Sequence, residues 1–199
     1  MQSDMLLAVA ETVPPSPTGD GSVVVGYGTV EELTRFAADP NWTLHVPGHP
    51  VEVRQAILGA VRRGERAYVH VSAESNAEPR AATEGFELVR EGLAGVVLAV
   101  GATLDPVLRA TAGLDLAVLY ARTLRPFDEV GLRTAVLAAD HADVVLVGPG
   151  LPGTSARHVA ETLVHVPHRL LSLDGRGGQD GRSGLDEEAV AGAVRDFLR

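Results

Sequence analysis

Apolar runs of strand length alternate with amphipathic stretches of helix length along most of this chain, and that alternation narrows its possible folds more than any other feature. The run "DVVLVG" at 143–148 is apolar at nearly every position, as a strand covered on both faces must be. "SVVVGYG", "WTLHV", "RAYVHVS" and "AGVVLAVG" read as further strands, and 115–120 and 168–173 extend the series. Val30, Leu33, Phe36 and Ala37 share one helical face; Val53, Ala56, Ile57, Ala60 and Val61 share another, with Gly64 in a C-cap position. Later helices are predicted over about 104–111, 127–140, 155–164 and 186–198. The pattern predicts an α/β fold of two α/β units, the second a mostly parallel sheet with helices on both faces. "FELVREG" alternates polar with apolar residues, which suits an antiparallel edge strand, and a tight glycine turn joins it to "AGVVLAVG".

Punctuation in the sequence suggests the division into units. Residues 1–22, which include "ETVPPSPTGDGS", read as a flexible arm. Residues 23–75 form the first unit, the polar and unpatterned stretch 73–83 separates the two, and 84–199 form the second.

Composition excludes several chemistries. With 45% hydrophobic residues the chain can bury a core, and a net charge of −9 argues against nucleic acid or an anionic membrane as partner. All 17 basic residues other than histidine are arginine, so Schiff-base and P-loop lysines are absent. There is no cysteine, hence no disulfide, thiolate nucleophile or cysteine metal site. "MLLAVA" at 5–10 is too short to span a bilayer and lacks a basic flank, so a cytoplasmic location is expected.

Two segments invite a functional reading. In "RTLRPFD", Pro126 suits a first helical turn, Asp128 favours the positive end of the helix dipole, and Phe127 and Val130 can cover the core edge. Arg122 and Arg125 could hold an anion or meet a carboxylate of a neighbouring subunit; a structural or interface role is favoured. "GPGLPGTSARHVAE" follows the buried strand and opens a helix, where an anion could sit, although the glycine spacing is not that of a dinucleotide site. Thr154 or Ser155 as N-cap explains it more simply. The histidines show no ligand spacing, and His45 and His70 read as sheet-facing polar residues rather than a dyad. No serine has an evident base, and "DGRGGQDGRSG" reads as a flexible loop, so no self-sufficient catalytic set emerges.

The order of the pieces carries a resemblance. "GYGTVEELTRFAADPNWTLHVPGHPVEVRQAILGAVRRGERAYVHVS" resembles the second half of the pyrimidine-binding domain of transketolase-like thiamine diphosphate enzymes. "VGAT", "RTLRPFD" and "DEEAVAGAVRDFL" follow in the order found in the C-terminal domain of that family, and the series spans residues 23–199. The family includes transketolases, deoxyxylulose-phosphate synthases and 2-oxo-acid dehydrogenase beta chains. The resemblance implies a role in dimerisation and in completing a cleft. The diphosphate motif and the glutamate that activates thiamine have no counterpart here, so thiamine diphosphate and magnesium are expected only with a partner subunit. Tyr27 stands where the family has a substrate histidine, His49 where it has an aspartate, and Ser72 near its phosphate-binding arginine. Val147 and Gly148 fall where paired glutamates often occur. Tyr27, Glu31 and His49 are expected nearest the cleft. Catalytic, cofactor-binding and metal residues are expected to be lacking in this chain, which then acts either as a subunit of a split enzyme, a homodimer joined by a separate thiamine-binding chain, or as a non-catalytic interaction module.

Overall fold

The computed structural model describes residues 21–27, 30–149, 154–174 and 187–199. The expected flexible arm falls almost wholly outside them, as do residues 150–153 and 175–186, which include most of the expected flexible loop. Two sheets are present, as the alternation requires. The first contains β1 (Val23–Tyr27), β2 (Thr43–His45), β3 (Ala67–Val71) and β7 (Thr123–Arg125) in the order β1-β3-β2-β7. Strands β1, β3 and β2 are parallel, and β7 runs antiparallel to β2. Helices α1 (Val30–Ala37) and α2 (Pro50–Arg63) make its crossovers.

The second sheet contains β4 (Glu87–Arg90), β5 (Val96–Val100), β6 (Ala117–Ala121), β8 (Asp143–Gly148) and β9 (Arg169–Asp174), ordered β4-β6-β5-β8-β9. All its pairs are parallel except the β4 edge. The glycine turn therefore joins β4 to β5 in sequence only: β6 lies between them. Gly95, with φ of 154°, packs against the carbonyl of Asp143 and so turns the chain into the sheet centre rather than into a hairpin.

Burial follows the strand pattern. Every residue of β5, β6 and β8 is buried, because helices cover both faces. On one face Val97, Ala99, Val118 and Val145 meet α3 (Leu104–Ala110) and α6 (Glu187–Phe197). On the other, Leu98, Leu119 and Leu146 meet α4 (Glu129–Ala138) and α5 (Thr154–Thr162), and this cluster continues through Leu33 of α1 and Leu44 and Tyr68 of the first sheet. The two sheets thus share one apolar core.

Helix ends follow local chemistry. Gly64 closes α2 in the left-handed conformation, at φ 65°, with its N–H on the carbonyl of Val61. Helix α4 starts later than the spacing suggests, because Asp128 is its N-cap: Oδ1 accepts from the Gly131 N–H at 2.8 Å and Oδ2 from the Phe86 N–H at 2.8 Å. Pro126 accordingly precedes the helix, after a cis Arg125–Pro126 peptide, rather than occupying its first turn. Phe127 packs on the core, but Val130 is 77% exposed and does not. Ser155 is buried inside α5 and so cannot be its cap.

Candidate functional site

Three parallel strands of the first sheet end on the same side, at Tyr27, His45 and Val71. This carboxyl edge is where open α/β sheets bind ligands. Tyr27 closes β1 and is 56% exposed. His49 follows β2 and caps α2, its Nδ1 accepting from the Val51 N–H at 3.2 Å, so the ring proton sits on Nε2. Ser72 follows β3. All three line a cavity of about 140 Å³ together with Gly48, Val53 and Glu74. The sequence-predicted pair Tyr27 and His49 is therefore brought together. Glu31 lies in α1, and its side chain falls outside the described part.

A buried polar knot holds this edge in place. Glu52, in the first turn of α2, is 1% exposed. Its Oε2 accepts from the Tyr120 hydroxyl at 2.5 Å and the Gly48 N–H at 3.0 Å, and its Oε1 accepts from the Arg80 N–H at 2.8 Å. The Gly48 N–H is shared with the Tyr120 oxygen at 2.9 Å. Burial, then the hydrogen bond and charge of Glu52, push the Tyr120 hydroxyl far above the usual tyrosine range, so it stays a donor. Beside it, Asn76 donates its side-chain amide to the Gly101 carbonyl at 3.1 Å, and its backbone N–H to the Gly48 carbonyl at 2.8 Å. Packing there is tight enough that a Cβ at Gly48 would collide with Asn76 and Gly101. The loop that carries His49 is thus anchored to both sheets.

The RPFD corner is mostly committed to structure. Arg125 donates Nη2 to the Ala37 carbonyl at 2.6 Å and Nη1 to the Asp39 carbonyl at 2.7 Å, closing the C-terminal end of α1. Replacing Arg125 with alanine strands these half-buried carbonyls. A loss of about 2 kcal/mol is expected, which lowers the melting temperature by ~4–8 °C at this chain length; an unchanged melting temperature would show that water replaces the guanidinium. Asp128 is occupied by its cap and by Phe86. Arg122 differs: its Nη2 donates to the Thr83 carbonyl at 2.9 Å, and it forms no ion pair among the described residues. It lines a second cavity of about 580 Å³ with His45, Gln55 and Phe127. Thr154 opens α5, with its side chain outside the described part, so the GPGLPGTS anion site is not assembled from described residues.

Neither cavity fits a diphosphate-bearing cofactor. The Tyr27–His49 cavity, at about 140 Å³, is below the ~300 Å³ lower bound of small-molecule sites, and its lining contains Glu74 but no arginine. The larger cavity is lined by Glu52, Glu65, Glu84 and Asp128 against Arg63 and Arg122 alone, an excess of carboxylate that repels a polyphosphate. Among the described residues no group of three or more histidines and carboxylates is arranged to hold a metal ion. No helix among them is long and apolar enough to cross a membrane.

The comparisons with known proteins meet this geometry. No protein-family model matches the chain. An uncharacterized 33.6 kDa protein in the fasciation locus of Rhodococcoides fascians is 40% identical over 203 residues, covering 89% of this chain and 65% of that protein. The chain therefore spans just under two thirds of that relative's length. The 1-deoxy-D-xylulose-5-phosphate synthase of Nitrosococcus oceani is 33% identical over 126 residues, covering 58% of this chain and 18% of the enzyme. Synthase 1 of Geobacter metallireducens is 26% identical over 184 residues, 80% of this chain and 29% of the enzyme. Among solved structures, a split-gene transketolase in an inactive beta4 tetramer superposes with a TM-score of 0.70 at 18% identity, over 88% of this chain and 66% of that one. Campylobacter jejuni transketolase superposes with a TM-score of 0.62 at 16% identity, over 87% and 31%. The chain has a transketolase-like fold, that of the C-terminal portion of such enzymes.

Proposed function

We propose that this chain is the C-terminal subunit of a split transketolase-like enzyme, inactive alone. In this reading a separate chain supplies the thiamine diphosphate and magnesium site, and the present chain completes the cleft and forms a homodimer. One observation carries it: Tyr27, His49 and Ser72 converge at the ligand-binding edge of a parallel sheet, in a cavity without a diphosphate anchor. The fold shared with a split-gene transketolase supports it as well. Tyr27 and the Nε2–H of His49 can hydrogen-bond a polar substrate, but neither can activate the cofactor. That step needs a carboxylate on the aminopyrimidine ring.

Co-purification from the native organism tests the reading. A thiamine-binding chain is expected to accompany this one, and ketose-phosphate turnover is expected from the pair and from neither chain alone. Recovery of this chain by itself would contradict it and favour a non-catalytic module. The tyrosine, histidine and serine at positions where the family has histidine, aspartate and arginine favour that second reading. Light scattering of the isolated chain is expected to give a dimer mass; a concentration-independent monomer would remove the dimer from the proposal.

A further inference from the structure

We propose that the cavity between α2 and the 122–128 segment binds a small hydroxylated organic monoanion, of the sugar-acid or short hydroxy-acid class. At about 580 Å³ it falls within the usual range for small-molecule sites. It shares Pro47 with the Tyr27–His49 cavity and otherwise has its own walls. Its charges define the ligand. Arg63 is paired with Glu65 at 2.5 Å, while Arg122 is half-buried and carries a positive charge with no carboxylate partner among the described residues. Glu52 and Asp128 have their oxygens filled by protein donors. Glu84 is exposed at the rim. One available cation within a carboxylate-rich wall selects a single negative charge and disfavours two or three.

The remaining wall suits hydroxyl groups. Gln55 lies on the exposed face of α2, its side chain making no hydrogen bond among the described residues, and Thr43 and Thr123 add hydroxyls. His45, 8% exposed, shares a hydrogen with the Thr123 hydroxyl at 2.9 Å through Nδ1 and so orients that hydroxyl in the wall. Pro126 and Phe127 offer carbon surface for the ligand's backbone.

The test needs only the full chain and does not depend on the split-enzyme reading. Calorimetry with D-gluconate and D-glycerate is expected to show saturable binding by at least one. Sorbitol, which lacks the charge, and pyrophosphate, which carries too much, are expected to bind at least tenfold more weakly. Arg122→Gln is expected to weaken the monoanion at least tenfold. Gln55→Leu, at an exposed position whose side chain makes no hydrogen bond among the described residues, is expected to weaken it severalfold while leaving the melting temperature unchanged, and it decides the matter should Arg122→Gln fail to fold. No saturable binding by either monoanion, tighter binding of pyrophosphate, or affinity unchanged in both variants would overturn the proposal.

Discussion

Replacing Glu52 with alanine is expected to cost about 4 kcal/mol of folding stability, lowering the melting temperature by ~8–16 °C for a chain of this size. The reason is the number of donors that meet at one carboxylate. The Gly48 and Arg80 N–H groups and the Tyr120 hydroxyl all point at it, from three separate parts of the chain. Alanine removes the acceptor and leaves these donors in a site where Glu52 itself is only 1% exposed. Each stranded buried donor costs about 1–3 kcal/mol, and partial entry of water keeps the sum below the maximum. Tyr120→Phe removes one donor and is expected to cost about 1–2 kcal/mol. Because Gly48 precedes His49, the alanine variant is also expected to loosen the cleft edge, visible as faster amide exchange in the 46–50 loop. A loss below about 1 kcal/mol would mean that water already shares these bonds.

Acid is expected to weaken the fold well before the carboxylates titrate. Burial foremost, and the guanidinium groups of Arg63 and Arg122 after it, hold the His45 imidazole down at about 4 against the opposing pull of Glu65. Burial also lowers His70, on the neighbouring strand β3. In the unfolded chain these rings bind protons near 6.5, so below that pH the unfolded state takes up protons that the folded state refuses. Stability contributed by a neutral buried His45 is therefore complete above 6.5 and is lost as pH falls toward 4. The full loss is ~3 kcal/mol, of which about 2 kcal/mol falls between pH 7.5 and 5. Denaturant titrations at those two pH values measure it. His45→Asn keeps a partner for Thr123 and is expected to remove most of the pH slope; an equal slope in both proteins would assign the acid sensitivity elsewhere.

These two effects also show what sequence could and could not disclose. The central strands were legible because burial on both faces leaves an unbroken apolar run, as in "VVLAV" and "DVVLVG". Helix α2 was legible from its apolar face and from the glycine at its end, which is a local signal. Strand β7 was not: "TLR" has three residues and no pattern, and it exists because β2 offers an edge 78 residues earlier, where His45 meets Thr123. The position of β6 between β4 and β5 was hidden for the same reason, since a glycine turn specifies a reversal but not a neighbour. Tyr27 and His49 were singled out through an ordered resemblance, and the sheet places both on the wall of one cavity. Glu52 was missed because an acidic residue in a first helical turn is ordinarily solvated. Donors distant in sequence, Tyr120 at 68 positions and Arg80 at 28, make it a buried acceptor. For Arg125 the sequence favoured a structural or interface role without naming its partners, because the carbonyls it serves belong to α1 and the turn after it, far back in the chain.

Under the proposed function this chain would supply a well-anchored cleft edge, and another chain the group that makes a carbanion. Titration calorimetry of the purified chain with thiamine diphosphate and magnesium tests that division most directly. No saturable heat at micromolar concentrations is expected; micromolar binding by this chain alone would contradict the account.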